Sequence, residues 1–154
     1  MKARLALVLA VLAVYGSSRE SGKSSGKTVE EFNRKFRECI LHMDQVAMLA
    51  MWAEDGVDLM PGEAPLLGKK AIAAWLKDVE KLGAGSRVSK EELDFHGLEV
   101  SGDWASEWAN ERQVVESEGK PPTEGYGKIA LVLHREENGR WTIKQEMWND
   151  SPHR

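Results

Sequence analysis

Four alternating stretches fill the second half of the chain, and they restrict its fold more than anything else in it. Arg87 to Val100, Trp104 to Glu116, Tyr126 to Arg135 and Trp141 to Trp148 read as strands. Gly102-Asp103 makes a tight polar turn between the first two, and Gly125-Tyr126-Gly127 leads into the third. Glu137-Asn138-Gly139-Arg140 turns the third into the fourth. Strands joined by such short turns pair antiparallel. The resulting sheet has to cover one face, and the first half of the chain supplies helices to do so.

Thr28-Val29-Glu30-Glu31 is a capping-box pattern, and Phe32, Phe36, Ile40 and Met43 follow at helical spacing. Asp44 is placed to cap a second helix, Gln45 to about Glu54, that turns Val46, Leu49, Ala50 and Trp52 inward before Asp55-Gly56 ends it. Val57 to Met60 reads as a short extended piece, and Pro61-Gly62-Glu63-Ala64-Pro65 as a rigid loop. A third helix after Gly68 carries Ile72, Trp75, Leu76, Val79 and Leu82 until Gly83 stops it.

The Trp104 strand is less clear-cut. One face carries Trp104, Ser106, Trp108, Asn110, Arg112 and Val114; the other carries Ala105, Glu107, Ala109, Glu111, Gln113 and Val115. Neither is cleanly apolar, so one mixed face is expected to line a cavity and the other to meet solvent or a partner. Trp108, with Asn110 and Arg112 beside it, is the stronger ligand-contact candidate, because a large aromatic supplies area and a buried amide needs a partner. In the next strand Ile129, Leu131 and Leu133 share a face opposite Lys128, Ala130, Val132 and His134. In the last, Trp141, Ile143, Gln145 and Met147 are expected together, opposite Glu146 and Trp148.

At 154 residues the chain holds one compact core. A formal net charge of −4 gives no electrostatic case for binding nucleic acid or an anionic membrane. The single cysteine, Cys39, has no partner for an internal disulfide and reads as a buried, inert thiol. Residues 1–16 pair a basic start, Lys2 and Arg4, with an apolar run from Leu5 to Tyr15. That run is shorter than the roughly 20 residues that span a bilayer, and a signal peptide fits it. Export to a periplasmic or extracellular location, with no stable membrane span after cleavage, is the expectation. Residues 17–27, rich in Ser, Gly and Lys, read as a flexible tether. Gly22 to Thr28 looks like a phosphate-binding loop, but position 21 is Ser where the first glycine would stand. Residues 28–150 form the domain and 151–154 a tail.

Several of these words occur in a familiar order. Met51-Trp52-Ala53-Glu54-Asp55-Gly56-Val57-Asp58-Leu59-Met60-Pro61-Gly62 runs toward Leu67-Gly68-Lys69-Lys70-Ala71-Ile72-Ala73-Ala74-Trp75. Gly102-Asp103-Trp104-Ala105 and Gly139-Arg140-Trp141-Thr142-Ile143-Lys144, followed by Trp148-Asn149, come later. Together they resemble the SnoaL-like group of the nuclear transport factor 2-like superfamily. The resemblance implies an α+β, cone-shaped, cystatin-like roll with three N-terminal helices packed on a curved antiparallel sheet around a pocket. It also implies a homodimer formed through the outer face of the sheet and a small apolar ligand; no cofactor is expected, and the dispersed histidines offer no metal-cluster spacing, so no metal is expected either. Fold alone does not fix activity, since such proteins include isomerases, cyclases, hydrolases and non-catalytic modules.

In ketosteroid isomerases two oxyanion donors and one base do the chemistry, and the resemblance brings those roles to Phe36, Leu131 and Met60. None of these side chains donates a hydrogen bond or takes a proton at neutral pH. Asp58, two residues before Met60, can stand in as base because alternate strand residues share a side; exposure in a loop is the other reading. His134, in line with Val132 and Ala130, is the second catalytic candidate, and Asp55, Glu111 and Glu146 are further pocket acids. Phe36, Trp52, Met60, Trp108, Asn110 and Arg112 are the candidate ligand contacts. An exported enzyme acting on an apolar molecule and a non-catalytic binding or dimeric assembly module both remain open.

Overall fold

The computed structural model describes the backbone of residues 17–152 and the side chains of residues 28–152. The expected leader at 1–16 and the last two tail residues lie outside the described residues. The first helix, α1, is Ser17–Leu41, so it starts in the stretch expected as a tether instead of at Thr28. Val29, Phe32, Phe36 and Cys39 fall one turn apart along it, and this stripe is buried. Thr28 lies within this helix, and its hydroxyl accepts a hydrogen bond from the Trp141 indole N–H at 2.8 Å.

Met43, with φ 52°, turns the chain into α2, Gln45–Ala50, whose first turn donates the Ala47 N–H to the Asp44 carboxylate at 2.9 Å. This helix stops early. The Met51 carbonyl accepts the Ile143 N–H at 2.8 Å, and Trp52 and Ala53 are drawn into a strand, β1, Trp52–Leu59. Pairing with a distant strand overrides the local helical pattern, so Gly56 lies inside a strand and ends no helix. A two-residue strand, β2, Leu66–Leu67, and α3, Lys69–Leu82, follow. Ile72 and Leu76 of α3 are buried, whereas Leu82, like Val46 of α2, is exposed instead of turned inward.

The remaining strands are β3, Ser86–Ser101, β4, Trp104–Ser117, β5, Thr123–Arg135, and β6, Trp141–Asp150. They form one six-stranded curved sheet in the order β2-β1-β6-β5-β4-β3. The expected antiparallel meander is present from β3 to β6, but β1 lies parallel to β6 and makes the sheet mixed. The three helices are also not all N-terminal to the sheet: α2 has six residues, and α3 comes after β1 and β2.

Register decides which side chains turn toward the helices. On β4 it is Ala105, Glu107 and Ala109, the small-residue face, that is buried. This reverses the expectation for Trp108, which is 45% exposed on the other face. On β6 one extra residue, Lys144, separates Ile143, opposite Leu133, from Gln145, opposite Val132. That bulge inverts the alternation, so Trp141 and Ile143 point inward before it, and Glu146 and Trp148 after it. Gln145 and Met147, expected on one face with Trp141 and Ile143, are exposed on the other. The core joins Phe32 and Phe36 of α1 to Ile129, Leu131 and Leu133 of β5 and to Ile143. Burying one such side chain contributes about 1.5–3 kcal/mol.

Candidate active site

Between the end of α1, α2, α3 and the inner face of the sheet lies a cavity of about 500 Å³, within the range of small-molecule sites. Phe36, Ile72, Trp52, Trp75, Met43 and Met60 give it an apolar wall. Into that wall the sheet inserts acids: Asp58 from β1, Glu146 from β6 and Glu111 from β4. Asp58 and Glu146 are register partners on adjacent parallel strands, so their side chains stand next to each other.

Asp58 is 4% exposed, and its Oδ1 has no hydrogen-bond partner. Burial pushes its carboxyl up to about 6, against a smaller opposing effect of the Leu59 backbone N–H. The Glu146 carboxyl goes to about 8, first through burial and then through the charges of Asp58 and Glu111. Glu111 is also raised by burial, while the Trp148 indole N–H, donating to its Oε2 at 2.7 Å, acts to lower it. Behind it, Glu91 on β3 is pushed to about 8 by burial, with the Gln113 amide donating to its Oε2 at 3.0 Å. At neutral pH Asp58 is therefore mostly ionised beside a Glu146 that keeps its proton. Two neighbouring carboxyls with separated titrations supply a base and an acid in one place.

Gly127 makes the Trp148–Glu111 contact possible. A Cβ there would lie 2.6 Å from Glu111 Oε2 and 2.7 Å from Trp148 Nε1, so only a bare backbone lets them meet above β5. A further acid, Glu107, is buried outside the cavity; burial lifts it to about 7, and the Asn33 amide donates to its Oε2 at 2.9 Å.

The structure brings six of the candidates from the sequence together in this cavity: Asp58, Phe36, Trp52, Met60 and the two acids Glu111 and Glu146. His134, Asp55, Trp108, Asn110 and Arg112 lie elsewhere. His134 packs against Trp104 with the rings tilted, their centres 4.6 Å apart, and faces a separate surface groove that also holds Asp55. Trp108, Asn110 and Arg112 are on the outer face of the sheet. There Trp108 packs against His96 with tilted rings at 4.5 Å, Asn110 approaches His96 Nε2 at 3.5 Å, and Arg112 pairs with Glu92 and Glu124. Glu91, Gln113 and Trp148 were not singled out for the site from sequence. The signal for Trp148 and Glu146 is the bulge at Lys144, which no local pattern announces; for Glu111 and Gln113 it is the Ala105–Ala109 spacing. Among the described residues no group of three or more His, Cys, Asp and Glu side chains is arranged to hold a metal ion. Cys39 is buried, and burial followed by the Asp44 and Glu38 charges raises its thiol, as an inert cysteine requires.

No family model matches the chain, and no curated protein matches it. Solved structures do. A ketosteroid isomerase-like protein from Erwinia carotovora atroseptica is 18% identical, with a TM-score of 0.61 over 90% of this chain and 100% of that one. ActVI-ORFA from Streptomyces coelicolor is 16% identical, with a TM-score of 0.70 over 83% of this chain and 98% of that one. An NTF2-like protein with a cystatin-like fold from Novosphingobium aromaticivorans is 18% identical, with a TM-score of 0.69 over 89% of this chain and 88% of that one. The chain shares the α+β, cystatin-like fold of these structures, the fold that the resemblance in its sequence implied. At these identities the likeness speaks for the fold and not for the reaction.

Proposed function

We propose that the cavity binds a small apolar molecule and moves a proton on it, as an isomerase, cyclase or hydrolase would. The observation that carries this reading is the buried Asp58 carboxylate, one oxygen unpartnered, set beside Glu146 in an aromatic cavity. Asp58 is the base. Glu146, held protonated by burial, is the hydrogen-bond donor to charge developing on a substrate oxygen. It is the register partner of Leu131, where a ketosteroid isomerase donor would be sought, so the donor role moves to the adjoining strand. Water exclusion by Trp52, Trp75 and Trp148 strengthens both roles.

The test is deuterium exchange into a panel of apolar β,γ-unsaturated ketones in D2O, followed by NMR. Exchange is expected to rise as Asp58 ionises through pH about 6 and to fall as Glu146 loses its proton near about 8. Asp58→Asn should lower the rate by about 100-fold or more. A ketone that occupies the cavity yet exchanges no faster than with Asp58→Asn would sink the acid–base reading.

A non-catalytic binding or assembly module is the alternative. It is favoured by the outer face of the sheet, where Trp108, Ala130 and Met147 are successive register partners and all exposed. We further propose that this row is the contact of a homodimer. Export, supported by the basic start and apolar run of residues 1–16, completes the proposal. N-terminal sequencing of the protein from periplasm and medium tests it, a retained Met1 counting against.

A further inference from the structure

The sign of charge inside the cavity narrows what can enter it. Among the described residues, its lining includes Asp58, Glu63, Glu111 and Glu146 and no lysine or arginine. An anionic ligand would be buried next to carboxyls with nothing to offset it. The same wall carries the indoles of Trp52, Trp75 and Trp148. The Trp148 N–H is committed to Glu111, so what that residue still offers a ligand is ring surface. Indole faces attract cations, and more strongly where water is excluded. The Asp58 oxygen without a partner lies in that setting, on a side chain only 4% exposed.

We propose that the cavity takes a protonated amine carried on an apolar body, its N–H donating to Asp58 Oδ1 and its charge balanced by Asp58 and Glu146. This rests on reading the cavity as the ligand site, and it names the chemical class of ligand. A neutral alcohol would satisfy the same oxygen but would leave the carboxyls to repel one another as they ionise. A cation removes that repulsion, so binding is linked to loss of the protons these acids hold.

Every element around the pair enters the titration. β1 brings Asp58, β6 Glu146 and β4 Glu111, with Glu91 of β3 behind it under the field of Arg37 from α1. Glu63 comes from the loop after β1, and Cys39 from α1. The lining from α2 and α3, Gln45, Met48, Ile72, Trp75, Leu76 and Val79, is not titratable. Amine affinity therefore rises with pH as the acids ionise, with no matching rise for a neutral ligand.

The experiment is calorimetry on the full chain with 4-phenylbutylamine, 4-phenylbutan-1-ol and 4-phenylbutyrate, which share one apolar body and differ in charge. At pH about 8 the amine is expected to bind at least about tenfold tighter than the alcohol, and the butyrate weakest. At pH about 5.5 that preference should shrink toward nothing. Near neutrality the amine's binding heat should vary with buffer ionisation enthalpy, which reports released protons. Asp58→Asn is expected to lower amine affinity at least about tenfold more than alcohol affinity, removing the preference for the amine; Glu146→Gln serves the same comparison if that variant does not fold. Equal or tighter binding of the alcohol or the butyrate overturns the ammonium proposal and leaves the cavity as a ligand site. If none of the three binds, the proposal and the ligand-site reading fall together.

Discussion

A single missing side chain holds part of this site open. Gly127 lets Glu111 and Trp148 meet across β5, and no other residue fits there without displacing one of them. Gly127→Ala is therefore expected to cost about 1–3 kcal/mol in urea unfolding, as overpacking does. It should also shift tryptophan fluorescence as the Trp148 indole loses its acceptor; unchanged stability and emission would contradict the contact. At this scale the sequence was only partly readable. Asp58, Phe36, Trp52 and Met60 were picked out as candidates and lie in the cavity, as do the pocket acids Glu111 and Glu146. Trp108, Asn110 and Arg112 were favoured over Glu111 and Gln113 because aromatic size suggested burial. The buried face of β4 is instead the one with Ala105, Glu107 and Ala109, which leaves the large rings outside.

Among elements, the helical stripe of α1, the cap at Asp44, the limits of α3 and the four long strands were all legible, because periodicity and turn residues are local signals. The parallel pairing of β1 with β6 was not, since no turn joins them and their partnership spans most of the chain. Nor was the parity change at Lys144, which comes from one unpaired residue opposite β5. Its effect can be tested by removing it. Deleting Lys144 should return Glu146 and Trp148 to the outer face, or force the strand to slip, because a one-residue shift inverts every later side chain. The expected result is loss of ligand binding and greater quenching of tryptophan by acrylamide. A deletion variant that binds as the parent does would refute the bulge as the device that fills the cavity.

For the molecule as a whole, the interior acids set an unusual response to pH. Glu91, Glu107 and Glu146 have carboxyls raised to between about 7 and about 8 in the fold, while the unfolded chain ionises near the ordinary 4.5. Through that window the folded state holds more protons, so stability present at pH about 4.5 is lost as pH rises to about 8. A tenfold change in acid strength corresponds to about 1.4 kcal/mol, so the fall over the window should reach on the order of a few kcal/mol. The melting temperature is expected to be higher at pH about 5 than at pH about 8, and Glu107→Gln should flatten the slope. A curve rising across this range would contradict the burial of these carboxyls. Association belongs to the same scale: Trp108→Glu and Met147→Lys, placed on the exposed row, should convert a dimer to monomer in light scattering, and a parent chain monomeric at high concentration would end that proposal. The hydrogen bond from the Trp141 indole to Thr28 has a consequence for where the domain can begin. It ties the last strand to a residue 113 positions earlier. A shortened chain starting at Thr28 keeps that anchor, whereas one starting at Val29 strands a buried donor at a cost of about 1–3 kcal/mol. One hydroxyl therefore marks how far the front of the polypeptide can be trimmed before an interior strand of the sheet loses its tie to the first helix.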